Sequence, residues 1–334
     1  MTEMDAFDEG GLAHIEFSPR RPAKLGIVGA GAVGSTMAFA ALMAGAARTV
    51  ALFDINRAKV EAEVLDLSHG IQFMPMAEVT GSDEIEVLAD SDVIMFTAGA
   101  KQKPGQSRLD LAGATISLVS KVLPGLVRVA PNAVYVMVTN PVDVVTYAAL
   151  KMSGLPQNQL FGSGTVLDSS RLRYLVAAET GVAVQSVHAY VAGEHGDTEI
   201  PLWSLASLGG MPLLEWRGVG KHGPLTAELR EQIAHEVVES AYKIIEGKGA
   251  TNYAIALAGT RIVETILNDE HGVLPVSSLL DDYYGISDVC LSVPTVVSAS
   301  GVGERLAVPL SPDELDGLRR SADAVREVAH RFGY

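Results

Sequence analysis

Four short apolar runs punctuate the first part of the chain: Lys24–Val28, Val50–Phe53, Asp92–Thr97 and Ala133–Val138. Each is nearly continuous in apolar residues rather than alternating, the pattern of parallel strands covered on both faces. A glycine-rich turn follows the first run, and the alanine-rich, proline-free Ser35–Ala47 predicts a helix. An acidic stretch, Ser82–Asp90, precedes the third run, and the fourth ends at Thr139-Asn140-Pro141. Strands joined by helical crossovers predict a doubly wound parallel sheet over residues 23–162.

The texture then changes. Ser169–Thr180 predicts a helix, Ser186–Val191 an alternating strand, Gly193–Thr198 a loop and Glu228–Glu246 a long helix. Val289–Ala299 and Val302–Pro309 read as antiparallel strands, and Pro312–Phe332 as a closing amphipathic helix with Ser311 as its N-cap. These pieces predict a second, α+β domain over residues 163–334. Two domains also suit a length of 334 residues, beyond the roughly 250–300 at which one core stops growing. No repeat or low-complexity linker lies between them, so close packing is expected. Residues 1–22 form an acidic leader containing Gly10-Gly11, expected to be disordered or to form an arm on a neighbouring subunit.

Charge narrows the partners. Twenty-five basic against forty acidic side chains give a net charge of -15, which repels nucleic acid and anionic lipid, so neither is an expected partner. An anionic substrate must therefore meet locally clustered arginines. No apolar run is seen to approach the roughly 20 residues of a membrane span. The single cysteine, Cys290, allows no intrachain disulfide, and the leader lacks the apolar stretch of a secretory signal, so a cytoplasmic location is expected.

Gly29-Ala30-Gly31-Ala32-Val33-Gly34 fits a G-x-G-x-x-G fingerprint, and Asp54 follows twenty residues after Gly34 at the end of the second strand. Glycines there permit a tight turn, close approach to a pyrophosphate and close packing of helix on strand, while the carboxylate accepts ribose hydroxyls. Glycines that merely pack a helix on a sheet would not require Asp54 at that distance. The acid repels a 2′-phosphate, which favours NAD over NADP, although Arg57 nearby could reach one. Within Gly193-Glu194-His195-Gly196-Asp197, His195 sits on a glycine-flanked turn that would expose an imidazole suited to proton exchange, or is simply structural. Asp168 and Arg171, three apart on a helix, could orient that histidine and grip a carboxylate, or form a local ion pair. The polar segment from Gly99 to Arg108 begins at the carboxyl end of the third strand and has the composition of a lid, from which Arg108 could polarise a carbonyl or merely cap a surface loop.

GAGAVGS at 29–35, FDIN at 53–56, VTNPVD at 138–143, LDSSR at 167–171 and GEHGD at 193–197 together resemble the L-lactate dehydrogenases, and the resemblance runs from Lys24 to Phe332. It implies a Rossmann domain binding NAD through Gly29, Gly31, Val33, Gly34, Asp54 and Asn140. It implies His195 as the acid/base, Asp168 as its partner, Arg171 as the substrate carboxylate clamp, Arg108 as a mobile carbonyl polariser and Asn140 as a positioning residue for substrate and nicotinamide. Malate dehydrogenases share the scaffold but resemble one another in an arginine at the position of Gln102. A neutral glutamine leaves the second carboxylate of oxaloacetate unpaired, at a cost of several kcal/mol, so pyruvate and L-lactate are the expected substrates. Thr251 matches the family's threonine that narrows the pocket around the methyl group. Malate dehydrogenase, a branched 2-hydroxy acid dehydrogenase and a non-catalytic NAD-binding protein are the alternative readings.

Arg173 lies about 200° around the helix from Arg171 and must serve another surface. With His188 it matches the pair that resembles the fructose 1,6-bisphosphate site of allosteric bacterial lactate dehydrogenases, where pairs from two subunits meet. The resemblance also implies a homotetramer. Without a cysteine–histidine cluster, acidic calcium loop or zinc-helix motif, no metal is expected.

Overall fold

The structure, a computed structural model, describes residues 22–99 and 108–334, without the side chains of residues 108–110. The leader up to residue 21, Gln102 and the Arg108 side chain therefore lie outside the described residues.

The first half of the chain alternates strand and helix: β1 (Lys24–Val28), α1 (Ala32–Ala44), β2 (Thr49–Phe53), α2 (Arg57–Gly70), β3 (Glu78–Ser82), β4 (Val93–Phe96), α3 (Arg108–Val129), β5 (Val134–Met137), α4 (Val142–Ser153) and β6 (Leu160–Gly162). The six strands pair in parallel in the order β3-β2-β1-β4-β5-β6. Winding reverses between β1 and β4, which opens a crevice at the carboxyl ends of the strands, where such sheets bind ligands. Along β4 and β5, successive residues enter two different cores. Ile94, Phe96, Tyr135 and Met137 join one cluster, while Val93, Met95, Val134 and Val136 join the other. Burial on both faces is the reason these runs are unbroken in apolar residues.

Four of these strands are legible in the sequence; β3 and β6 are not. β3 is a half-exposed edge with the mixed sequence EVTGS, in which Gly81 lets Val60 and Val64 of α2 approach. β6 has three residues, too few to make a pattern. Helix α1 begins at Ala32, three residues before the predicted Ser35, so its first turn opens directly on the glycine loop.

The second half comprises α5 (Val166–Thr180), β7 (Val187–His188), β8 (Val191–Ala192), β9 (Ile200–Pro201), β10 (Ser207–Leu208), β11 (Met211–Pro212), α6 (Ala227–Lys248), α7 (Tyr253–Leu267), β12 (Gly272–Leu280), β13 (Val289–Ser298), β14 (Gly301–Arg305) and α8 (Pro312–Arg331). Strands β12, β13 and β14 are antiparallel and extend the parallel sheet, because Ser277 of β12 pairs with Gly162 of β6. One nine-stranded sheet thus runs across both halves of the chain among the described residues. The single strand expected over Ser186–Val191 divides in two: β7 pairs with β10, and β8 with β9. Helix α8 carries the predicted Ser311 cap as a full capping box with Glu314.

One expectation is corrected. The segment Leu111–Val129 of α3 is long and apolar enough to cross a membrane by length and composition. Its exposed polar residues fall in a stripe, Ser117, Ser120, Lys121 and Arg128, which the reading by uninterrupted apolar runs overlooks. The opposite side buries Ile116, Val119, Leu123 and Leu126 in the core beside the sheet, so the apolar surface already has a protein partner.

Candidate active site

The glycine loop shapes the crevice. Gly29 has φ +99°, and a Cβ there would lie 2.9 Å from Ala98 N. A Cβ on Gly34 would lie 1.9 Å from Gly29 O, so the first turn of α1 seats on β1 only with glycine there. Gly31 differs: nothing lies within 4 Å of its added Cβ. That open approach adjoins the uncapped start of α1, whose first-turn N–H groups favour an anion. Asp54 takes one hydrogen bond from Ala30 N at 2.8 Å and another from Asn56 N at 2.9 Å. Its carboxylate is thereby fixed with acceptor capacity remaining for ribose hydroxyls. A space that a Cβ would fill, a helix start and a fixed carboxylate fit a dinucleotide. Val33 lies half-buried on the first turn of α1, and Asn140 is exposed beyond the end of β5.

A second cluster forms where α5 meets the loop between β8 and β9. Asp168, on the first turn of α5, is fully buried and bridges two cations. Its Oδ1 accepts from Arg171 Nη1, and its Oδ2 lies 2.6 Å from His195 Nδ1. The orienting partner and the local ion pair, separate alternatives in sequence, are here one arrangement. With Nδ1 engaged, Nε2 is the histidine nitrogen left for a substrate. His195 keeps 21% of its side-chain surface exposed, against 12% for Arg171. Burial works against the imidazolium, but Asp168 outweighs it, with smaller help from Glu199 and Asp143, and His195 is raised to about 9. Burial alone would raise Asp168; His195 and Arg171 reverse this and hold it below its ordinary value.

Four elements pin the loop that carries His195. Gly193 exchanges backbone hydrogen bonds with Ser292 of β13, and Ser321 of α8 accepts from Glu194 N at 2.6 Å. Ser169 of α5 accepts from Val191 N, and Asp143 of α4 accepts from His195 N at 2.8 Å.

The sequence of residues 23–162 matches the lactate/malate dehydrogenase NAD binding domain, and residues 165–331 match the lactate/malate dehydrogenase alpha/beta C-terminal domain. The chain belongs to the lactate/malate dehydrogenase family. Among curated members of that family, it is 58% identical over 317 residues to an L-lactate dehydrogenase of Bifidobacterium animalis subsp. lactis, covering 95% of this chain and 99% of the relative. It is 45% identical over 308 residues to one of Moorella thermoacetica, covering 92% and 96% respectively. Of solved family structures, the minor L-lactate dehydrogenase of Enterococcus mundtii superposes with a TM-score of 0.88 at 36% identity, over 92% of this chain and 98% of that one. A lactate dehydrogenase from a Medee basin deep-sea metagenome gives 0.90 at 34% identity, over 94% and 100%.

Within this family member, other predicted residues occupy separate places. Thr251 is half-buried in the link between α6 and α7, and its neighbour Asn252 donates to Thr36 Oγ1 of α1 at 2.9 Å. Arg173 leaves α5 on a different side from Arg171. Its Nε donates to Ala189 O at 2.9 Å, and its guanidinium lies 5.3 Å over the Tyr190 ring. Burial lowers its pKa. His188 is exposed on β7.

Two acids were missed as site residues. Asp143 is buried, takes hydrogen bonds from His195 N and Ser277 Oγ, and burial raises it to about 6. Its signal was available: it is the one acid within the otherwise uncharged run Val142–Leu150. Glu199 lies within 4.8 Å of both His195 and Asp168. Nothing in its local sequence distinguishes it from an exposed loop glutamate.

Proposed function

We propose that this chain catalyses the reversible reduction of pyruvate to L-lactate with NADH, with residues 23–162 binding the nucleotide and residues 163–334 supplying the substrate site. The observation that carries the reading is the Asp168 bridge, which sets a proton donor and a carboxylate clamp on one buried carboxylate. The 58% identical relative named as an L-lactate dehydrogenase supports it, including the stereochemistry. A module that only bound NAD would have no use for this bridge.

Bound NADH supplies a hydride to the carbonyl carbon. Arg171 pairs with the substrate carboxylate through its remaining N–H groups, which orients the ketone. Protonated His195 gives the Nε2 proton to the carbonyl oxygen as its C=O bond becomes C–OH, and Asp168 holds the ring throughout. In the reverse direction neutral His195 takes that proton back. Arg108 polarises the carbonyl on lid closure and Asn140 positions the ring and substrate. Gln102 and Thr251 favour a methyl group over a second carboxylate, against malate dehydrogenase, and over a branched chain.

Arg173 and His188 form an effector site for fructose 1,6-bisphosphate. Arg173 is already desolvated and held over Tyr190, and an incoming phosphate offsets that desolvation. The working assembly is a homotetramer in the cytoplasm. Exposed Phe39 and Met43 of α1, beside Tyr253 and Leu257 of α7, suit burial between copies.

NADH oxidation with pyruvate and with oxaloacetate, each with and without fructose 1,6-bisphosphate, tests the whole reading. Preference for pyruvate that sharpens with the effector supports it. Preference for oxaloacetate overturns the role of Gln102, and pyruvate turnover indifferent to effector overturns the Arg173/His188 site.

A further inference from the structure

Glu199 follows His195 by four residues in the loop pinned between α5, α4, α8 and β13. Its Oε1 is buried without a hydrogen-bond partner among the described residues. One of its carboxylate oxygens lies within 4.8 Å of a ligand-type atom of both His195 and Asp168, a gap that one water can span. A solvated surface glutamate has neither property.

The charged groups around it come from three elements. Helix α5 presents Asp168 and Arg171, and the loop itself presents His195 and Glu194. Asp143 of α4 acts on the same imidazole from behind, bonded to His195 N. Asp197, further along the loop, accepts from Tyr242 of α6. Ser321, the residue of α8 at this loop, is uncharged. A carboxylate placed here faces Asp168 in a desolvated corner, so burial first and Asp168 second push Glu199 up to about 9. It is therefore a neutral acid at neutral pH.

We propose that Glu199 is a positioning residue for proton transfer: its ionisation sets a second carboxylate against His195 and keeps the imidazole in its proton-carrying, pyruvate-reducing form at alkaline pH. The two groups are close enough to titrate as a pair. When the first proton leaves Glu199, the new negative charge holds the remaining proton on His195, which departs only at higher pH. Below the titration, Asp168 chiefly holds the imidazolium, with Asp143 behind it. Glu199 thus sets how far into the alkaline range reduction persists and where lactate oxidation begins, without touching substrate.

The inference rests on His195 as acid/base, and the test separates the two. In E199Q the alkaline limb of kcat/KM for pyruvate moves down by about one pH unit, and the rising limb for L-lactate oxidation moves down with it. At pH 9, with the wild-type midpoint near 9, that is roughly a fivefold loss in the first, while the second rises by less than about twofold toward its plateau. E199A, which removes the acid without introducing an amide to be satisfied, shifts both limbs in the same direction and serves if E199Q does not fold. The rate at which diethyl pyrocarbonate inactivates the enzyme, plotted against pH, reports free imidazole directly and shifts in parallel. Lowered plateaus with both limbs in place mean a structural role only and overturn the proposal. If His195→Asn retains turnover, the acid/base reading itself falls; if that variant is inactive while E199Q leaves the limbs unmoved, only the role of Glu199 falls.

Discussion

Asp168 must be ionised to hold two cations, and the two cations keep it ionised, so each supports the charge state the others need. Replacing it with asparagine removes the charge while leaving the volume. His195 then loses the dominant influence that raises it, and burial, which favours the neutral ring, takes over. In the proposed mechanism pyruvate reduction uses the protonated ring, so in wild type it is expected to decline as pH rises through about 9. In Asp168→Asn that decline moves below neutrality, and kcat/KM for pyruvate at pH 7.5 falls by roughly a hundredfold or more. Lactate oxidation, which uses the neutral ring, suffers less at the same pH. A pH–rate series in both directions checks this, and equal losses in the two would contradict it. His195, Asp168 and Arg171 stand out in the sequence, but type and spacing alone leave a structural histidine and a local ion pair open; the family resemblance is what singles them out as one site. Glu199 does not stand out: its significance comes from burial against Asp168, a contact between α5 and a loop distant in sequence.

Among the elements, the turn between β1 and α1 separates two kinds of glycine that look identical in G-x-G-x-x-G. Gly34 is required by packing, since any Cβ meets Gly29 O. Gly31 meets nothing, so its smallness serves whatever approaches from outside. Gly31→Ala is therefore expected to melt within about 1 °C of wild type while binding NADH at least tenfold more weakly, because the methyl stands where a pyrophosphate approaches. Gly34→Ala is expected to lose several degrees of Tm, since overpacking costs about 1–3 kcal/mol. Thermal melts and NADH fluorescence titrations on the two variants check the contrast; equal effects on both would refute it. The same distinction explains which elements could be read ahead. Strands β1, β2, β4 and β5 are buried on both faces and announce themselves as apolar runs. β12 interrupts its pattern with Pro275 and two serines, and its pairing with β6 and β13 is what makes it a strand. α7 contains Gly259 among β-branched residues, a weak helical signal. The glycine lets α7 pack against the ends of the Met37 side chain of α1 and the Met95 side chain of β4.

For the whole molecule, the buried acids and the histidine of one site contribute to how stability depends on pH. His195 is raised from 6.5 to about 9 on folding, so its contribution is fully present below pH 6.5 and lost as pH rises through 9. A rise of that size corresponds to about 3 kcal/mol. Glu199 is an acid raised from 4.5 to about 9, so the fold binds its proton more tightly than the unfolded chain does, and stability again declines as pH rises toward 9. Asp143, raised to about 6, has completed the same kind of decline by neutral pH. Asp168 runs the other way: held below 3.8, it contributes above that value and loses the contribution only in acid. Between pH 6.5 and 9, therefore, His195 and Glu199 both favour the lower pH. The ligand-free protein is expected to lose roughly 5 °C of Tm across that interval. His195→Asn combined with Glu199→Gln should flatten the slope, because neither group then changes its charge on unfolding. Differential scanning calorimetry at several pH values decides it: a flat or rising Tm in the wild type would mean that these groups are ordinary titrating side chains, and an unchanged slope in the double variant would assign the decline to residues elsewhere in the chain.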